Sequence, residues 1–168
     1  MKITSHITWA TGLLALCAAL VPIAGRCAAS ADPAPASDPS QVERGRYLVR
    51  IGGCNDCHTP GYAVAGGDAP LQQWLVGDHL GMQGPWGTTY PTNLRLFMPS
   101  LTEQQWVDYA RSMQPRPPMP WFNVRAMSDA DLRAIYAFVR SIGPAGEPAF
   151  VARPLGAAVS GSVVRWSD

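Results

Sequence analysis

Charge is scarce in this sequence: 13 basic and 12 acidic residues in 168 give 15% charged residues and a formal net charge of +1. No basic excess exists to follow a phosphate backbone, so nucleic acid is not an expected partner. Cysteine is scarce too, at four residues, and the two outside the N-terminal apolar segment, Cys54 and Cys57, stand only three positions apart, which is not a disulfide framework. Also missing are an internal repeat, a Ser–His–Asp set and a phosphate-binding glycine loop. What is abundant is apolar, 47% of the chain, which excludes a disordered protein and supplies the core of one domain. Sixteen glycines and sixteen prolines exceed average usage. They argue against a plain helical bundle and for short elements joined by shaped loops.

The one long apolar run is at the N-terminus. Lys2 precedes an apolar stretch from Trp9 to Ala24, and Ala29-Ser30-Ala31 forms an A-x-A site before Asp32. This pattern predicts an export signal over residues 1–31 and a periplasmic mature protein. Left uncleaved, the 18 residues Ile7–Ala24 reach the lower limit for spanning a bilayer, and membrane association through that segment is the alternative. Cys17 and Cys27 do not read as lipid attachment sites, because Leu16 and Arg26 precede them. Cleavage removes Lys2, His6, Cys17, Arg26 and Cys27, leaving 11 arginines against 12 acidic residues. The remaining cysteines and histidines are Cys54, Cys57, His58 and His79. Three of these four fall together.

Residues 32–39 read as a flexible lead-in, 40–144 as the folded domain and 145–168 as a C-terminal tail of little pattern. A first helix is expected from Ser40, acting as its cap, to Gly52-Gly53. Residues 59–100 show no sustained period and read as a long structured loop, of a length that is uncommon unless it wraps something. A second helix is expected over Thr102–Met113, opened by a Thr102/Gln105 capping box. The prolines between Pro115 and Pro120 forbid helix. The clearest helix starts at Ser128, runs along Leu132, Ile135, Tyr136, Val139 and Ile142, and stops at Gly143-Pro144.

Cys54-Asn55-Asp56-Cys57-His58 matches C-x-x-C-H, the attachment signature of a c-type haem. Two thiols three residues apart can each form a thioether with one vinyl group of a single haem. His58 then follows where its imidazole can ligate the iron. A thioredoxin-like reading lacks its βαβ surroundings. Zinc would need four ligands, and His79 is the only further Cys or His donor in the mature chain.

Around this motif the chain resembles class I c-type cytochromes, notably the monohaem domains that serve periplasmic dehydrogenases and electron-transfer chains. The resemblance covers about residues 40–144. It rests on Gly45-Arg46-Tyr47-Leu48, Cys54–Thr59, Tyr90-Pro91-Thr92-Asn93-Leu94, Met119-Pro120 and Ser128–Ile135. It implies an all-α, cytochrome c-like fold of three to four short helices. The first and last helices would cross, and long loops would wrap one haem c held by Cys54 and Cys57.

Haems of this type usually take a methionine as second axial ligand. Met119 stands between Pro118 and Pro120, which stiffen a non-helical segment, and the resemblance puts a Met-Pro pair there. Met98 and His79 are its rivals. Met113 reads as core, Met127 as a staple residue near Leu132, and Met82 as loop filler. The resemblance also places Tyr90 and Asn93 in the haem-lining loop, bonding propionates or the methionine sulfur. Trp86, Trp106 and Trp121 are candidate walls, and Arg116 is a candidate propionate partner.

The expected function is single-electron transfer between periplasmic protein partners (a dehydrogenase, another cytochrome or a terminal oxidase) through a His58/Met119-ligated haem. This reading makes the chain a carrier and not an enzyme, because two side-chain ligands leave the iron no open position. The alternative is a haem-bearing subunit of a membrane-associated dehydrogenase or oxidase. A remoter one is a haem enzyme or gas sensor with an open sixth site.

Overall fold

A computed structural model describes residues 38–166; the expected export signal and most of the lead-in lie outside the described residues. The described chain is mostly helical. Its elements are α1 Pro39–Ile51, α2 Cys54–His58, β1 Gly81–Gly84, β2 Gly87–Thr89, α3 Leu94–Phe97, α4 Glu103–Ser112, α5 Trp121–Ala126, α6 Asp129–Ser141 and β3 Val163–Arg165.

The first helix begins two residues earlier than its sequence suggests. Asp38 is its cap, accepting the Ser40 backbone N–H at 2.9 Å, and Pro39 fills the first turn. Proline suits that position, where its missing N–H has no helical partner to lose. The other two long helices start where expected. Thr102 and Gln105 form the capping box of α4, and Ser128 accepts the Asp131 backbone N–H at the start of α6.

The core lies where α1 crosses α6. Leu48 and Val49 of α1 bury against Leu132, Ile135, Phe138 and Val139 of α6, each worth about 1.5–3 kcal/mol of hydrophobic transfer. Gly45 permits the crossing. A β-carbon there would lie 1.9 Å from the Ala134 carbonyl oxygen, so a larger residue would force the helices apart. At the far end of α6, the buried Arg95 donates to the carbonyls of Gly143 (2.6 Å), Ile142 (2.5 Å) and Gln72 (2.8 Å). It thereby satisfies carbonyls that the helix end leaves without partners.

Three segments differ from the sequence reading. The middle loop contains a β1–β2 hairpin, with Met82 opposite Thr89 and Gly84 opposite Gly87. The tail is not merely draped on the domain: β3 pairs in parallel with β1, giving the sheet order β2-β1-β3. Upstream of β3, Arg153 exchanges both backbone hydrogen bonds with Thr88, each at 2.8 Å. A further short helix, α5, follows Pro120 and was absent from the sequence reading.

Candidate functional site

A predominantly apolar cavity of about 450 Å³ opens between α2, the hairpin, the proline-rich loop after α4 and the start of α5. Gly52 and Gly53 set one wall. Gly53 has φ of +69°, a left-handed turn that glycine adopts freely, and α2 starts directly after it. One helical turn puts Cys54, Cys57 and His58 on a single face, and all three line the cavity.

Their chemistry suits one group. The cysteines are unpaired. Burial pushes the Cys54 thiol up to about 11 and raises that of Cys57, so both are protonated thiols at neutral pH. Burial also holds His58 below its ordinary pKa, with the bond to Thr92 opposing; the imidazole is therefore neutral and keeps a lone pair. Its Nδ1 lies 2.7 Å from the Thr92 carbonyl oxygen. A carbonyl only accepts, so Nδ1 carries the proton and Nε2 is left as the ligating nitrogen. Two vinyl-reactive thiols beside an oriented imidazole, on an apolar cavity, fit a covalently attached haem c.

The loop behind α2 is fixed through Thr59. Its hydroxyl donates to Asn55 Oδ1 and accepts the Leu75 backbone N–H, both at 2.8 Å. Leu75, at φ of +61°, in turn accepts from the backbone N–H groups of Leu94 and Arg95. The segment carrying Thr92 is thus tied back to the segment following the C-x-x-C-H turn.

Met119 lines the same cavity, half-buried, in a loop where Pro115, Pro117, Pro118 and Pro120 offer no backbone N–H. So do Met82, Met98, Met113 and Met127, and lining alone does not separate the five. Met98 is fully buried among core residues, and Met113 is nearly so. Met82 lies on β1 and is a cavity wall, not loop filler. His79 is on the surface, stacked on Phe150 with ring centroids 4.2 Å apart, and is not a lining residue.

Tyr90 lines the cavity with its ring, but its hydroxyl is engaged by the tail. It donates to the Ser160 carbonyl at 2.8 Å and accepts the Ser160 N–H at 3.1 Å. Asn93 lies outside the lining. Its Oδ1 caps α3 through the Leu96 N–H, and its amide donates to the carbonyls of Ala145 and Glu147. Every one of those bonds is structural, so Asn93 joins loop to tail here. Trp106 is a wall, its Nε1 held by the Leu132 carbonyl at 2.8 Å. Trp86 sits over Gly84 and Trp121 beneath the Arg125 guanidinium, neither on the lining. Arg116 stands exposed at the rim.

Sequence reasoning missed several lining residues. Leu75, Leu94, Phe97 and Val124 are ordinary apolar residues whose role only the fold reveals, and Ala152 comes from the tail. The Thr92 carbonyl was missed because a backbone group leaves no trace in residue type.

A family model described as Cytochrome c matches residues 42–143. A nicotinate dehydrogenase subunit from Pseudomonas putida is 31% identical over 121 residues, which is 66% of this chain and 9% of that protein. The cytochrome c subunits of the quinone alcohol dehydrogenases of Gluconacetobacter polyoxogenes and Komagataeibacter europaeus are each 27% identical over 130 residues. Those matches span 68% of this chain and 25% of each relative. The chain therefore covers a quarter or less of the length of the curated relatives it matches. No solved structure matches it.

Proposed function

Given that the chain belongs to the cytochrome c family, we propose that it is a monohaem electron-transfer protein of the periplasm, with His58 and Met119 as the two axial ligands. The observation that carries this reading is the Nδ1–Thr92 bond at 2.7 Å. It fixes one ring nitrogen as donor and frees the other, on the wall that bears both attachment cysteines. Haem iron supplies reversible one-electron chemistry. The protein's own residues hold and tune it. Cys54 and Cys57 would anchor it, His58 would ligate its iron, and the proline-stiffened loop would present Met119. Leu75, Leu94, Phe97 and Trp106 keep the pocket apolar and exclude water.

The partners in this reading are proteins. Three dehydrogenase subunits among the relatives, two of them named as cytochrome c subunits, support a role in passing electrons from a dehydrogenase, whether as a free carrier or as a subunit. Coexpression with haem-maturation machinery tests the reading. One haem per chain should survive denaturation, and the protein should titrate as a reversible one-electron couple. Haem that extracts freely into acid solvent would refute covalent attachment. Untagged purification from the native host separates the two roles: a soluble monomer marks a carrier, and co-purification with a large oxidoreductase marks a subunit.

A further inference from the structure

We propose that the C-terminal segment 150–166 is a brace for the loop that bears Met119, acting through the β1–β2 hairpin and the hydroxyl of Thr89. The proposal rests on the reading of Met119 as an axial ligand.

The loop from Gln114 to Pro118 is poor in backbone donors, because three of its five residues are proline. Among the described residues, one hydrogen bond reaches this stretch from elsewhere in the fold. Thr89 Oγ1 donates to the Pro117 carbonyl at 3.1 Å. Proline restricts the loop's internal torsions but does not fix where the loop stands against the rest of the molecule. The Thr89 hydroxyl supplies that anchor, two residues before Met119.

The anchor is only as firm as the hairpin that carries it. With four residues in β1 and three in β2, a two-stranded ribbon of this size is marginal on its own. The tail completes it on both sides. On one edge, β3 pairs in register with Gly81, Met82 and Gln83, and the Trp166 N–H reaches the Gln83 carbonyl at 2.8 Å. On the other, Arg153 closes both backbone bonds with Thr88, the neighbour of Thr89. Tyr90, on the other side of Thr89, is held by Ser160. Gly87 makes room for this docking: a β-carbon there would lie 2.3 Å from the Arg153 carbonyl oxygen, and its φ is +94°. Thr88 and Thr89 of β2 and Tyr90 just after it are therefore gripped by tail, loop and tail in turn. Thr89 is a positioning residue for Met119.

Imidazole added to the ferric holoprotein provides the probe, since it binds only when the Met119 loop swings away. Its apparent affinity scales with the population of that displaced state. Thr89→Val keeps the shape and the strand preference but removes the hydroxyl. It should tighten imidazole binding by about 2- to 10-fold, the range that one hydrogen bond allows, with haem content and circular dichroism unchanged. Thr89→Ser should restore the wild-type affinity. Gly87→Ala, which pushes the tail off the hairpin, should tighten binding at least as much. A change below about twofold in Thr89→Val, or a failure of Thr89→Ser to restore affinity, would overturn the brace. If Gly87→Ala does not fold, the two Thr89 variants decide alone. Met119→Ala separates the two levels. If it turns the haem high-spin while Thr89→Val changes nothing, the brace alone falls. If it leaves the spectrum unchanged, the ligand assignment falls and the brace with it.

Discussion

The imidazole of His58 is tied through Nδ1 to the carbonyl of Thr92, 2.7 Å away and 34 residues later in the chain. This one contact joins the C-x-x-C-H turn to the loop between β2 and α3. Its rigidity depends on Thr59, whose hydroxyl bonds both Asn55 and the Leu75 N–H. Thr59→Val replaces that hydroxyl with a methyl of similar size and leaves a buried amide N–H unpaired. The holoprotein should lose about 1–3 kcal/mol, read as a lower midpoint in urea denaturation followed at the haem absorbance. An unchanged midpoint would show that the bridge does not support the ligand turn.

Gly45 sets the distance between α1 and α6. A methyl group at this position meets the Ala134 carbonyl at 1.9 Å and Phe138 Cβ at 2.7 Å, so Gly45→Ala is an overpacking substitution at the central crossing. It should destabilise by at least about 1–3 kcal/mol, measured as a fall in melting temperature. A melting temperature equal to wild type would mean that the helices do not cross this closely.

Among the described residues Arg95 has no carboxylate partner; it serves the backbone carbonyls of Ile142 and Gly143 at the end of α6 and that of Gln72. Arg95→Met keeps much of the aliphatic bulk and removes every donor. A loss of at least about 1.5–3 kcal/mol is expected, the contribution of a single charge-assisted bond. Thermal melts of the holoprotein measure it, and a loss well under 1 kcal/mol (about half of one such bond) would contradict the role given to the guanidinium.

Asp131 holds the N-terminal end of α6 against Arg44 at 3.0 Å. The Arg44 bond, then the Ser128 hydroxyl, lowers its pKa from the ordinary 3.8. The folded form therefore releases this proton more readily than the unfolded chain. The resulting stability is fully present above about 3.8 and is lost as pH falls through the lowered folded-state value. Both side chains are partly solvated, so the contribution lies within about 0–1 kcal/mol. Asp131→Asn should melt below wild type at pH 7 and converge with it as pH falls through the lowered folded-state value; a gap that persists once the carboxyl is protonated would rule out an ionic origin.

The parts of this fold visible in sequence were those that repeat a local rule. The α6 stripe from Leu132 to Ile142 and the Thr102/Gln105 box each speak within one or two turns, and both stand where expected. The cysteines and His58 were legible because the chemistry dictates their spacing. The hairpin was not, because Gly81–Gly84 and Gly87–Thr89 are too short and too rich in glycine to alternate. Nor was β3, whose partner strand lies some eighty residues earlier, so that its hydrogen bonds are invisible to any local window. Asn93 shows a subtler limit. The family resemblance placed it in the haem-lining loop, bonding propionates or the methionine sulfur, whereas its described bonds cap α3 and bind the carbonyls of Ala145 and Glu147, partners too distant in sequence to be anticipated.

The central claim is that Met119, on its proline-stiffened loop, is the second axial ligand of a haem whose first is His58. The ferric absorption spectrum of Met119→Ala, beside wild type and Met98→Leu, tests it most directly. Met98 is buried in the core, and leucine conserves its volume at small cost, so that variant controls for disturbance of the pocket. The account predicts low-spin spectra for wild type and Met98→Leu, and a high-spin spectrum, or ready binding of added imidazole, for Met119→Ala. A Met119→Ala protein that keeps the wild-type low-spin spectrum would contradict it.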